Sequence, residues 1–105
     1  MRIVIFLFFT AILAACNNST NSSNNEPVEK TGEEIYETTC SMCHGQDGKK
    51  QLSGAKDLSI SPLDIEAQKD IITNGKGGMA AYKNMLSESE IDKVVIYIQT
   101  LRTEE

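Results

Sequence analysis

The chain of 105 residues has no tryptophan, one histidine, two prolines and three cysteines. Zinc would need two nitrogen or sulfur ligands besides Cys40 and Cys43, but His44 is the sole histidine and Cys16 belongs to a different kind of segment. The surroundings of the dithiol lack the βαβ pattern of a thioredoxin-like site. All three phenylalanines fall within the first nine residues, which leaves Tyr36, Tyr82 and Tyr97 as the aromatics of everything downstream. Sustained period-two alternation, hairpin chemistry and internal repeats are all missing, which excludes a sheet or a solenoid. With a formal charge of −5 and no basic stripe, nothing points to nucleic acid. The longest apolar stretch, Ile3 to Ala15, has 13 residues and is too short to span a bilayer comfortably.

Against these absences stands Cys40-Ser41-Met42-Cys43-His44. Two thiols spaced three apart with an adjacent histidine form an attachment site for a c-type haem. One helical turn lets the two sulfurs reach the two vinyl groups on one porphyrin edge, while the imidazole lies beneath the ring as a ligand to iron. A chance match in a chain this short is rarer than about one in a thousand. For the opposite face of the iron, Met42 is on the wrong side, inside the attachment loop. Met79, which follows the flexible Lys76-Gly77-Gly78, and Met85, just ahead of a helix start, both remain on the residues alone.

The N-terminal apolar run behind Met1-Arg2 reads as a signal peptide, residues 1–15. It ends in Leu13-Ala14-Ala15-Cys16, and small residues ahead of a lone cysteine resemble the lipobox of bacterial lipoproteins, in which that cysteine is lipidated and becomes the new N-terminus. Residues 16–30 are then the lipidated Cys16 and a polar tether with nothing to bury, whose r.m.s. span is roughly 20 Å. Residues 31–105 form one domain. At 75 residues it is small for a self-sufficient core, and a covalently held haem is the staple it needs. The haem-free chain is expected to be largely unfolded.

Local signals predict three main helices. The first runs from about Gly32 through the attachment site, with Gly32, Tyr36 and Cys40 on one face and Glu33 and Glu34 favouring its first turn. The second runs from about Pro62 to Asn74, with Ser61 as its cap and Gly75 closing it. The third follows a capping box, Ser87 and Glu90. It carries Ile91, Val94, Val95, Ile98 and Leu101 at helical spacing and ends near Arg102.

Taken together, Gly32-x-x-x-Tyr36-x-x-x-Cys40-x-x-Cys43-His44-Gly45, Ile72-x-x-Gly75-x-x-x-Met79 and Leu86-Ser87-x-x-Glu90-Ile91 leading to Tyr97-Ile98-x-x-Leu101 resemble the class I cytochromes c. The likeness is strongest to the small membrane-anchored lipoprotein members of c-551 type. It implies an all-α fold of three main helices around one covalent haem c, with thioethers to Cys40 and Cys43, His44 as proximal and Met79 as distal iron ligand. The resemblance also implies that the first and last helices cross through Gly32 and Tyr36 against Tyr97 and Leu101. Two departures stand out. Ala80 replaces the proline that commonly follows the ligand methionine. Gly54-Ala55 replaces a Gly-Pro pair whose proline carbonyl holds the histidine ring, a role Ala55 is expected to take over.

With both faces of the iron filled, no position is left for substrate, so the resemblance implies an electron carrier and not an enzyme. The expected setting is the extracytoplasmic side of a cell membrane. There a monomer would take electrons from a quinol-oxidising complex and deliver them to a terminal oxidase. A haem enzyme or gas sensor would need an open sixth position; a lipoprotein thiol oxidoreductase would use Cys40 and Cys43 as a dithiol. Charge is uneven: residues 45–85 hold six lysines against five acids, while both flanks are acidic. Lys49, Lys50, Lys56, Lys76 and Lys83 either form an ordinary solvated surface or steer an acidic partner.

Overall fold

The computed structural model describes residues 27–103. The expectations for residues 1–26, namely the signal peptide, Cys16 and most of the tether, lie outside the described residues. Four helices follow one another: α1 (Gly32–Thr39), α2 (Ser41–His44), α3 (Ile65–Asn74) and α4 (Glu88–Thr100). A short 3-10 turn at Leu52–Gly54 sits between α2 and α3. Among the described residues the only β-type pairing is an isolated bridge between Lys76 and Met79.

α1 begins with a reciprocal cap. The Thr31 hydroxyl accepts from the Glu34 amide at 3.2 Å, and a Glu34 carboxylate oxygen accepts from the Thr31 amide at 2.8 Å. Ser87 and Glu90 repeat the arrangement at the start of α4, at 3.2 and 2.9 Å, as the sequence predicts. α3 starts three residues later than expected. Its cap is Asp64, which accepts from the Ala67 amide at 2.8 Å, whereas Ser61 takes the amide of Leu63 in a local turn. The first helix also does not run unbroken through the attachment site: Cys40, at φ −109°, marks the joint between α1 and α2.

The main packing is α1 against α4. Gly32 makes it possible, because a Cβ there would lie 2.2 Å from the Lys93 carbonyl oxygen, well inside contact distance. One helical turn on, Tyr36 is wholly buried and its ring meets Tyr97 at a centroid distance of 5.2 Å, tilted by 51°. Ile35, Ile72, Ile91, Val94, Val95 and Ile98 complete a core of seven side chains. Each contributes about 1.5–3 kcal/mol by leaving water. Cys40, Leu58, Met79, Tyr82, Leu86, Tyr97 and Leu101 form a half-buried rim around it.

Polar contacts tie the periphery to this core. Gln68, buried on α3, accepts from the Gln99 side chain at 2.6 Å. Arg102 donates to the Leu63 carbonyl, and the Thr103 amide to the Ser59 carbonyl at 3.1 Å, so the chain beyond α4 clasps the segment leading into α3. At the other end the tract expected to be free is held at its last residues. Glu29 pairs with Lys93 at 2.6 Å and accepts from the Ser89 hydroxyl at 3.0 Å.

Candidate functional site

The joint between α1 and α2 places the attachment residues on a single turn. Cys40 is half-buried against the core rim and Cys43 is exposed; both are free thiols. Burial pushes the Cys40 thiol up to about 11. A dithiol redox site requires the opposite shift, toward thiolate. The Tyr36 hydroxyl donates to the Gly45 carbonyl at 2.6 Å, which fastens the end of the turn to the middle of α1. Burial pushes the Tyr36 phenol up as well, so it remains a donor at any ordinary pH.

His44 Nδ1 lies 2.9 Å from a backbone carbonyl, and that carbonyl belongs to Lys56 instead of Ala55. The shift has a local cause. The Ala55 amide closes the 3-10 turn onto Leu52, and Ala55 then extends at φ −56°, ψ 141°, so the next carbonyl is the one delivered to the ring. A carbonyl only accepts, so Nδ1 carries the proton and Nε2 keeps its lone pair for a metal.

Met79 sits on a tight loop. Its amide donates to Lys76 at 3.0 Å and its carbonyl accepts from Lys76 at 3.2 Å, with Gly77-Gly78 as the turn between them. Gly75 ends α3 at φ +76°, and a Cβ at that position would lie 2.7 Å from the Met79 carbonyl oxygen. Behind the loop, the Tyr82 amide donates to Ile72 at 2.9 Å and the Lys83 amide to Thr73 at 3.3 Å. The loop is thus fixed by backbone pairing, with Ala80 standing where the resemblance implies a proline. Met79 is half-buried against the core rim, whereas Met42 and Met85 are 75% and 62% exposed. Tyr82 completes the site. It is half-buried against the core, and burial, then the charges that Cys40 and Cys43 would carry, push its phenol up.

Comparison with known proteins gives the family. A family model described as "Cytochrome C oxidase, cbb3-type, subunit III" matches residues 27–98. The chain belongs to the class I c-type cytochromes. It is similar to a cytochrome c6-like protein of Nostoc sp. strain PCC 7120, at 35% identity over 102 residues, 91% of this chain and 85% of the relative. It is also similar to the cbb3-type cytochrome c oxidase subunit FixP of Azorhizobium caulinodans, at 37% identity over 81 residues, 71% of this chain but 28% of that one. Among solved structures, cytochrome c6C from Synechococcus sp. PCC 7002 superposes with a TM-score of 0.62 at 31% identity, covering 72% of this chain and all of the other. The cytochrome fold read from the sequence is therefore shown, with a small mostly helical domain and no sheet among the described residues. Like its relatives, this cytochrome is an electron carrier and not an enzyme, and it carries one covalent haem c.

The residues present fit that group. Two free thiols lie on one turn, an imidazole has its metal-binding nitrogen free, and a thioether stands on a fixed loop. An apolar rim of Cys40, Leu58, Met79, Tyr82 and Leu86 borders a core too small to be closed by the chain alone. Sequence reasoning missed Lys56 as the histidine's partner and Thr31 as a cap. The Thr31-x-x-Glu34 spacing was the available signal for the cap. For Lys56 there was no comparable signal.

Proposed function

We propose that this cytochrome is a membrane-tethered respiratory carrier in which Cys40 and Cys43 form the haem thioethers, His44 is the proximal ligand and Met79 the distal one. The observation that carries the ligand set is the contrast among candidate ligands. His44 is oriented by the Lys56 carbonyl, and Met79 is the methionine turned to the core rim while Met42 and Met85 face solvent. When bound, the haem iron supplies reversible one-electron exchange between Fe(III) and Fe(II). The chain's part is to hold the ring nitrogen and the sulfur in place, keep water out with the apolar rim, and leave the turn bearing Cys43 exposed toward a partner. A thioether raises the reduction potential relative to a second imidazole, which suits delivery to a high-potential acceptor.

In this reading Cys16 carries the lipid, and the domain works on the extracytoplasmic side of the cell membrane. Electrons come from a quinol-oxidising complex and go to a terminal oxidase. Support comes from the small-residue run before Cys16 and from the likeness to an oxidase subunit. Lys49, Lys50, Lys56, Lys76 and Lys83 are all exposed and available to meet an acidic partner.

The deciding experiment is the absorption spectrum of the oxidised, membrane-matured protein, read in the long-wavelength region where sulfur-to-iron charge transfer absorbs. The band is expected in the wild type and in Met85→Ala and is expected to vanish in Met79→Ala. Haem bound without that band would favour the enzyme or sensor reading. For the anchor, radiolabelled fatty acid should enter the wild type and not Cys16→Ala; equal labelling of both would remove the tether from the proposal.

A further inference from the structure

No proline ring fixes φ in the segment that presents the Lys56 carbonyl to His44, so other contacts must hold it. Asp57, the next residue, gathers Ser59 onto one carboxylate oxygen. Asp57 Oδ1 accepts the Ser59 amide at 2.9 Å and the Ser59 hydroxyl at 2.6 Å. Ser59 is itself buried, at 3% exposure, and its carbonyl is held from the far side by the Thr103 amide at 3.1 Å. Between them, the Leu58 amide donates to the Gly48 carbonyl at 2.8 Å, and the Lys50 amide to the His44 carbonyl at 2.9 Å. The four residues 56–59 are therefore held at both ends and in the middle, with Asp57 directly following the carbonyl that meets the imidazole.

We propose that Asp57 is the positioning residue for the proximal imidazole: by accepting from both the amide and the hydroxyl of Ser59 it locks the turn that aims the Lys56 carbonyl at His44 Nδ1. The proposal rests on His44 being the iron ligand. A hydrogen bond from Nδ1–H to a fixed acceptor raises the basicity of the nitrogen on the metal, and a more basic ligand favours the oxidised iron. Loosening Asp57 should therefore weaken that bond and raise the reduction potential. Asp57→Asn keeps an acceptor oxygen for Ser59 and discards the charge, which separates aiming the carbonyl from a through-space effect of the carboxylate.

The test uses the 15N-labelled, membrane-matured holoprotein in its reduced state. Two quantities are read: exchange of the His44 Nδ1 proton with solvent, and the reduction potential. Asp57→Ala is expected to speed that exchange tenfold or more relative to wild type and to raise the potential. Backbone amides of Val94 and Val95 should change less than twofold. Asp57→Asn is expected to return both readouts toward wild type.

Exchange within twofold of wild type in Asp57→Ala overturns the proposal. So does acceleration matched by Val94 and Val95, which would signal general loosening, or an Asn variant that behaves like Ala, which would signal charge alone. If Asp57→Ala fails to mature, Ser59→Ala removes the 2.6 Å bond and carries the same criteria at threefold. The ligand reading fails separately: wild-type His44 ring protons lying in the ordinary imidazole range, without the displacement that an axial position on haem imposes, would sink that reading whatever the variants do.

Discussion

Tyr36 and Gly45 are joined by a 2.6 Å hydrogen bond from phenol to backbone carbonyl, so the side chain that fills the α1–α4 crossing also closes the turn bearing the haem-attachment motif. Core packing and site geometry are thereby one structure. Tyr36→Phe keeps the ring and loses only this bond, and should cost about 1–2 kcal/mol in denaturant unfolding of the holoprotein. Tyr36→Ala should cost about 3–5 kcal/mol because it also empties the crossing. Equal losses for the two variants would show that the bond, and not the ring, dominates.

Gly32→Ala tests the helix contact. A methyl placed 2.2 Å from a backbone oxygen has no flexible neighbour to displace, so α1 must move off α4. The expected loss is about 1–3 kcal/mol, the range for overpacking, with a lowered melting temperature. Full stability in this variant would mean the helices approach less closely than 2.2 Å implies.

Acid should loosen the start of α1 through Glu34. Its carboxyl is held below the ordinary range, first by the Thr31 backbone amide and then by the Thr31 side chain. The folded value is lower than the unfolded one, so the stabilisation is complete above the unfolded value near 4.5 and is lost as pH falls through the folded value. Glu34→Gln should flatten this part of the acid-denaturation curve, monitored by far-ultraviolet circular dichroism. A curve unchanged from wild type would remove Glu34 from the acid response.

Without its cofactor the chain should lose its fold. The Cys40→Ala/Cys43→Ala variant is expected to give a circular dichroism spectrum of a largely unfolded chain, because seven buried side chains are a small core for the entropy of ordering a domain. A native-like spectrum from that variant would refute this.

What could be read from the sequence follows from how local each signal is. Ser87 and Glu90 state the start of α4 within four residues, and the attachment motif is a contiguous pentapeptide. Met79 is singled out as the ligand only through resemblance, since two methionines satisfy the residues alone; in the structure Met79 is half-buried and Met85 exposed. The start of α3 differs from the reading because Ser61 and Pro62 suit a helix start, yet the cap is the Asp64 carboxylate three residues beyond Ser61, a residue type that caps equally well. Cys40 gives no breaker residue to mark the joint between α1 and α2. The Lys56 carbonyl was beyond reach because it depends on a 3-10 turn in which Gln51 and Ser53 adopt φ of 53°, a conformation that neither residue type announces.

The unequal burial of Cys40 and Cys43, the proposed attachment points, bears on biosynthesis. Cys43 is open to solvent, but Cys40 is tucked against the core rim beneath the joint that Tyr36 fastens. An enzyme that joins both sulfurs to a porphyrin would reach Cys40 more readily before α1 and α4 come together than after. It would recognise a linear string of residues with no finished surface around it. Timing, in other words, is part of the design: a chain that closed first would have half-covered one of its two proposed attachment points.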